Sequence, residues 1–292
     1  MQKKNIAILV VIYNGRAYIK DCLQSLKQQT YHDFDIIIVD NASTDDSLSI
    51  IRQEYTDAVI LSAPSNLGYA GGNNLGLKYI LDNEYQYVLL INEDTIADNK
   101  LLEVLLSYAN EMTAVAPIMY KDRQRKKKWY YGGEMDMQKG KSSNISPQPI
   151  INAREVTFIT GCCILLHTNI LRKIGLFDEK YYLYYEDDDL SMRMLNNGIK
   201  MLNVAETWLW HRVQHRQASG YYMYYMTRNQ LYFQHKYSTF FEASPFKTII
   251  QLVRRYWIVA NPEDLKYRKY VGMGIMDYLF KNMYKKEWNP KW

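Results

Sequence analysis

The run Tyr87-Val88-Leu89-Leu90-Ile91-Asn92-Glu93-Asp94 sets an uninterrupted apolar stretch against an abruptly polar end. A strand with one wet face alternates apolar and polar residues, so an unbroken run reads as a strand covered on both faces. The same design recurs upstream. Residues 6–13 are apolar and lead into Tyr13-Asn14-Gly15, and residues 34–39 lead into Asp40-Asn41-Ala42-Ser43. Residues 58–61 give a further strand. Between these strands lie helical patterns. Residues 17–29 place Ile19, Cys22, Leu23 and Leu26 on one stripe. A second helix carries Leu48, Ile50 and Ile51 and can be capped by Ser43 or Thr44. A third spans residues 71–81. Strand–helix alternation of this kind predicts an α/β fold, a mostly parallel sheet flanked by helices. No internal repeat is present.

The later sequence is less regular. Residues 121–128 are strongly basic, and with Gly132-Gly133 and residues 142–149 they read as a mobile loop or hairpin. The basic run is a solvated face, or else a lid over phosphates or a patch for anionic lipid. Residues 156–166 return to strand character. Residues 169–174 form a helix closed by Gly175, and residues 190–197 form another stopped by Gly198. From Met223 onward the pattern is helical. Residues 249–258 set an apolar face beside Arg254, Arg255, Tyr256 and Trp257.

Composition narrows the class. With 292 residues and 48% apolar content, the chain can bury one large core, alone or with an appendage. A net charge of +5 is too mild to argue for nucleic acid. Cys22, Cys162 and Cys163 are odd in number and lack CxxC spacing, which suits a reducing compartment better than a disulfide framework or a zinc site. The first apolar run is too short for a signal segment, and no run is long enough to span a bilayer. The expectation is a cytoplasmic, soluble protein, or one held on the inner face of the membrane from the side. The 27 tyrosines suit sugar and base stacking, although most serve equally well as packing residues.

In open parallel sheets, ligands bind beyond the carboxyl ends of the strands. Tyr13 and Asn14, Asp40, and Asn92 with Asp94 all fall there. Asp40 can accept hydrogen bonds from a base N–H or a ribose hydroxyl, or merely cap the following helix. Asn92-x-Asp94 has the spacing of a hard-cation site completed by phosphate and water. The glycine-rich run Asn66-Leu67-Gly68-Tyr69-Ala70-Gly71-Gly72-Asn73-Asn74 enters a helix and is a turn or an anion cradle; it matches neither GxGxxG nor a P-loop. Glu186-Asp187-Asp188-Asp189 crowds four acids before a helix, more than capping needs, and such crowding raises at least one pKa. His211, after Trp208-Leu209-Trp210, is a core residue or a metal ligand with even weight.

Taken in order, these blocks resemble the family-2 glycosyltransferases of GT-A (Rossmann-like) fold, in their rhamnosyltransferase-like branch. The likeness runs from residues 10–15 through 39–45, 66–74 and 90–95, then Gly161 and Gly175-Leu176-Phe177-Asp178-Glu179. It continues through Tyr185 to Leu190 with Arg193, then His211 and Thr227-Arg228-Asn229. Glu93 departs from the family's usual Pro, and the segment after His211 is long, so His215 competes with it.

The resemblance implies an inverting transfer of a sugar from a nucleotide donor, dTDP-rhamnose first and a UDP-hexose second, to a glycan or lipid-linked glycan in surface polysaccharide synthesis. It implies Asp187 as general base with Glu186 orienting it. A divalent cation, Mg²⁺ or Mn²⁺, would be held by Asp94, Asn92 and His211. Donor contacts would come from Tyr13, Asn14, Asp40, Asn66, Gly71, Asn74, Asn92 and Arg228. The catalytic domain would cover residues 1–235, with a nucleotide part to about 115 and an acceptor part from about 116. A helical extension, residues 236–292, would follow. That extension, with a tail at residues 285–292, would rest on an anionic membrane or pack on the catalytic domain or a second subunit, which leaves a homodimer open. Two other classes compete. A nucleotidyltransferase would need a Gly-rich loop with Arg and Lys after the first strand, where only Arg16 stands. A noncatalytic carbohydrate-binding protein would not need the acidic pairs.

Overall fold

The computed structural model describes residues 4–146, 152–212 and 219–286. His215, residues 147–149 of the expected hairpin region and residues 287–292 of the tail lie outside them. The first half runs β1 (Ile6–Ile12), α1 (Ile19–Lys27), β2 (Phe34–Asp40), α2 (Ser47–Glu54), β3 (Val59–Ser62), α3 (Gly68–Asp82), β4 (Tyr87–Asn92), β5 (Thr95–Ala97), α4 (Leu101–Tyr108) and β6 (Thr113–Tyr120). The second half adds β7 (Lys128–Tyr130), β8 (Gly133–Asp136), β9 (Lys141–Asn144), β10 (Ala153–Val156), β11 (Cys163–His167), α5 (Thr168–Ile174), α6 (Glu186–Asn196) and β12 (Lys200–His211). The remaining elements are helical: α7 (Gly220–Lys236), α8 (Pro245–Val253) running into a π-helical turn (Arg254–Ile258), α9 (Pro262–Leu265) and α10 (Arg268–Leu279).

The main sheet has the order β10-β12-β6-β11-β4-β1-β2-β3. Its β3-β2-β1-β4 half is parallel throughout. β1 is buried along almost its whole length and β4 through its middle, which is what their unbroken apolar runs require. Beyond β4 the sheet becomes mixed: β11 lies antiparallel to both β4 and β6, while β6 and β12 are parallel. The expected division near residue 115 falls inside the buried strand β6, so the sheet is continuous across it. β8 and β9 pair as a separate hairpin.

Several local expectations are corrected. Residues 156–166 are not one strand: β10 and β11 are separated by residues 157–162, a buried connection that passes the polar end of β4. α3 begins at Gly68, three residues before the expected start, and α6 begins at Glu186, so the four acids are its first turn and not a preceding loop. Ser43 and Thr44 do not cap α2, which starts at Ser47; they tie two loops together, as described below.

Candidate active site

β1 and β2 deliver their polar ends side by side, in a register that pairs Ile12 with Asp40. Asn14 then braces the two loops. Its N–H donates to Ser43 Oγ (3.0 Å) and its Oδ1 accepts from the Thr44 N–H (2.8 Å). Asn14 therefore shapes the loop with the amide oxygen that was expected to meet a nucleotide. Asp40 is 5% exposed, and one carboxylate oxygen accepts the Ser43 N–H at 3.0 Å.

Asn41 has a larger part than the sequence indicated. Its Nδ2 donates to Asn66 Oδ1 (3.2 Å) and the Gly68 carbonyl (3.0 Å), while its Oδ1 accepts the Leu67 N–H (2.9 Å). The Gly68 N–H goes to Asn66 Oδ1, and the Ala70 N–H to the Tyr182 carbonyl. The first N–H groups of α3 thus already have protein acceptors, so the glycine-rich run is not an anion cradle. Gly71 is instead a packing residue: a Cβ there would meet Leu67 Cβ at 2.8 Å. Asn74 is likewise a strut. It donates to the Phe177 carbonyl and Glu179 and accepts the Phe177 N–H, all at 2.9 Å, which leaves it no capacity for a donor contact.

A cavity of about 490 Å³ opens between these loops. Its lining includes Tyr13, Asn41, Asn66, Tyr69, Glu93 and Lys285. Asp94 follows Glu93 directly. Burial, and then the neighbouring Asp94 carboxylate, push the Glu93 carboxyl up to about 8. The antiparallel pairing of β12 with β5 sets His211 opposite Thr95 and brings its Nε2 to 3.2 Å from Asp94 Oδ1. That contact lacks hydrogen-bonding alignment, since Asp94 Oδ1 is buried without a hydrogen-bond partner. Trp129 packs edge-on against the imidazole at 4.3 Å between centroids. Two lone-pair-bearing atoms held this close without a shared proton suit a hard cation between them. Among the described residues no group of three or more His, Cys, Asp or Glu could form a complete metal cage. The remaining ligands would have to be phosphate and water, as Mg²⁺ commonly has them. Asn92, at the end of β4, is held by its backbone: its N–H donates to the Cys162 carbonyl at 3.0 Å.

The same 160–162 connection reaches the acidic turn of α6. Tyr69 OH donates to the Gly161 carbonyl (2.5 Å), and the Gly161 N–H donates to Asp187 Oδ2 (3.2 Å). Asp187 and Asp94 thus flank one short segment, and both act electrostatically on Cys162, whose thiol is also held far up by burial. The four acids have separate duties. Asp189, fully buried, takes Arg193 Nε (2.9 Å), Tyr237 OH (2.9 Å) and Lys236 Nζ (2.6 Å). Asp188 accepts the Ser142 N–H at 3.0 Å and so anchors the β8–β9 hairpin.

Glu186 and Asp187 remain. Burial and then the Asp187 charge hold the Glu186 carboxyl far above the usual range, and its Oε2 has no partner. Burial also raises Asp187, but the Gly161 and Asp188 N–H groups oppose that shift. Burial therefore disfavours both charges in this close pair, and the N–H groups favour the ionised form at Asp187 rather than at Glu186.

Residues 7–175, more than half of the chain, match the model of glycosyl transferase family 2. The chain belongs to that family. Several curated relatives are named as glycosyltransferases. An uncharacterised one from Rickettsia typhi is 27% identical over 212 residues, 71% of this chain and 62% of its own length. The O-antigen chain rhamnosyltransferase WbaN of Salmonella anatum is 24% identical over 234 residues, 76% of this chain and 71% of its own. The match spans less than two thirds of the two Rickettsia relatives that head the comparison, at 62% and 57%. Among solved structures, TarS 1–349 of S. aureus with UDP superposes with a TM-score of 0.56, at 17% identity over 95% of this chain and 72% of that one. The mannosyltransferase PcManGT of Pyrobaculum calidifontis, with GDP-Man and Mn²⁺, gives 0.61 at 13% identity over 96% and 88%. These likenesses establish the GT-A fold.

Arg228, expected among the donor contacts, spends its hydrogen-bond donors within the protein. It is fully buried, and its guanidinium donates to the carbonyls of Lys180 (3.1 Å), Tyr181 (3.0 Å) and Tyr284 (2.6 Å) and to Asn229 Oδ1 (2.9 Å). Asn229 Nδ2 donates to the carbonyls of Tyr181, Leu183 and Tyr184. Together they clasp the loop before α6, where Tyr182, Tyr184 and Tyr185 all have positive φ, 63° to 73°. Such conformations are costly for bulky residues and persist only where surrounding contacts impose them.

A second cavity, about 560 Å³, lies between α7 and the α8–α9 region. Among its charged lining residues Arg255 and Asp264 pair with each other at 2.9 Å. Lys285, expected in a membrane-facing tail, lines the first cavity.

Proposed function

We propose that this enzyme transfers a sugar, L-rhamnose from dTDP-rhamnose in the first instance and a UDP-linked hexose in the second, to a hydroxyl of a glycan or lipid-linked glycan of a surface polysaccharide. The observation that carries the reading is that the 160–162 connection is hydrogen-bonded to Asp187, to Tyr69 of the cavity wall and to the end of β4 that leads into the Asp94–His211 pair. The family and the rhamnosyltransferase WbaN among the relatives support the donor assignment.

Asp40 and Asn66 would receive the base and ribose. The acceptor oxygen would form its bond to the anomeric carbon as the bond to the diphosphate oxygen breaks, with that electron pair leaving on the diphosphate. The acceptor proton would pass to the Asp187 carboxylate. Attack from the face opposite the leaving group inverts the anomeric centre. Glu186, kept neutral, would orient the acceptor without competing as a base. Asp94 and His211, with Asn92 behind them, would hold a divalent cation, which neutralises charge on the departing diphosphate. Solved neighbours contain Mn²⁺, in keeping with that assignment. Incubating the purified enzyme with dTDP- and UDP-sugars and measuring nucleoside diphosphate release tests the donor. Release from neither class would overturn the reading.

The acceptor would be met at a membrane surface. Residues 236–292 hold eleven Lys and Arg against five Asp and Glu, a net +6, so residues 1–235 carry −1 of the chain's +5. Along α8 and the π-helical turn, Phe246, Ile250, Val253 and Trp257 recur at helical spacing and are 39% to 72% exposed. Apolar side chains beside basic ones are what binds a helix to an anionic interface. Among the described residues no helix is long and apolar enough to cross a membrane. The protein should float with phosphatidylglycerol vesicles and not with neutral ones; no flotation with either would remove this part of the proposal.

A further inference from the structure

A diphosphate brings at least two negative charges into this cavity, with Asp94 and Asp187 close by. The basic residues near the strand ends do not meet that need. Arg16 pairs with Asp46 (3.1 Å), Arg212 pairs with Asp21, and Arg228 is consumed by backbone carbonyls. Lys285 is the single Lys or Arg among the described residues lining the cavity.

Its position is built, and the extension builds it. After α10 the chain returns to the wall of the cavity. The Tyr284 N–H donates to the Lys180 carbonyl (3.0 Å), and the Tyr284 carbonyl accepts Arg228 Nη1 (2.6 Å). The Lys286 N–H donates to Tyr225 OH (2.8 Å), and Lys286 Nζ reaches Asp277 Oδ2 (2.6 Å). Lys285 sits between these two anchored residues, and Tyr284 takes a φ of 70°. Its own ammonium group has no ion pair or hydrogen bond among the described residues. A pinned backbone thus presents an uncommitted cation to a cavity with no other Lys or Arg among its described lining residues.

We propose that Lys285 binds the diphosphate of the donor, so that residues 281–286 form part of the nucleotide site and not a membrane-facing tail. The proposal rests on the nucleotide-sugar reading above. It gives the helical extension a second task, that of supplying the positive charge the α/β domain leaves out of its own cavity. A flexible ammonium group suits a leaving group that changes charge and position during the reaction.

The test is isothermal titration of full-length wild type, Lys285→Gln and Lys285→Arg with dTDP and UDP in the presence of Mg²⁺, and with thymidine and uridine as uncharged controls. A charge-assisted contact of about 1.5–3 kcal/mol corresponds to roughly 10- to 100-fold in Kd. Lys285→Gln should therefore bind the diphosphates at least tenfold more weakly, with a shallower salt dependence, while Lys285→Arg stays within a few-fold of wild type. Nucleoside binding should be the same in all three. Wild-type binding of dTDP or UDP with no loss in Lys285→Gln overturns the Lys285 assignment alone. Failure of the wild type to bind either diphosphate overturns the nucleotide-sugar reading itself, and this inference with it.

Discussion

Replacing Asn229 by Ala removes one amide that serves the carbonyls of Tyr181 (2.9 Å), Leu183 (2.9 Å) and Tyr184 (2.8 Å), and it strips Arg228 Nε of its 2.9 Å acceptor. An amide has two hydrogens, so the three contacts count as about two full donors. Each net hydrogen bond contributes about 1 kcal/mol, and a buried group left without a partner costs about 1–3 kcal/mol. The sum is a destabilisation of about 3–5 kcal/mol. At about 2 °C per kcal/mol for a chain of this size, the melting temperature should fall by about 6–10 °C.

Strain adds a functional consequence. Tyr182, Tyr184 and Tyr185 sit in the left-handed region, at roughly 1–2 kcal/mol each. Without the clasp the loop can relax, and α6 starts at the very next residue with Glu186 and Asp187 in its first turn. A shift of about 1 Å in a reacting group can cost on the order of 100-fold in rate. kcat should therefore fall by about that factor at temperatures where the variant is still folded, with dTDP affinity changed far less. Asn229→Asp, which removes the donors and sets a carboxylate against three carbonyls, should be worse than Asn229→Ala on both counts. Thermal melts and initial rates at 20 °C read both effects. An Asn229→Ala protein that melts within 1 °C of wild type would refute the clasp. One that melts early but keeps its kcat would refute the transmission of strain to Asp187.

Asp187→Asn should abolish turnover while dTDP binding survives; equal activity would remove Asp187 from the base role. Because burial raises the Asp187 pKa and a base must be ionised, kcat should be lost as pH falls, with a midpoint above the ordinary aspartate value. A midpoint at or below that value would contradict the assignment. Chelation with EDTA should stop transfer, with Mg²⁺ or Mn²⁺ restoring it. Asp94→Asn and His211→Ala should each raise the cation concentration needed for half-maximal rate, and full activity in excess EDTA would discredit the pair as cation ligands. Gly68 has a φ of 73°, and a Cβ there would lie 2.3 Å from the Tyr182 carbonyl. Gly68→Ala should therefore lower soluble yield and donor affinity together, and a variant indistinguishable from wild type would show that the α3–Tyr182 contact yields cheaply.

The alternation of strands and helices in the first half and the strand ends at which polar residues collect were legible in the chain. They rest on local facts: unbroken apolar runs, and the rule that ligands meet parallel sheets at their carboxyl ends. Asp40, Asn66, Asp94 and Asp187 could be singled out because short polar side chains at strand ends and helix starts are visible one segment at a time. Whether a polar residue is free or already spoken for is a different kind of fact. It depends on acceptors distant in sequence, as when Arg228 spends its donors on the carbonyls of Lys180, Tyr181 and Tyr284, or Asn74 on Phe177. The pairing of Asp94 with His211, and the return of Lys285 to a cavity opened more than two hundred residues earlier, were decided only when the sheet closed and α10 packed along α7. Local sequence fixes which groups a segment offers; the fold decides which of them remain unspent, because each buried donor and acceptor must first be satisfied from within.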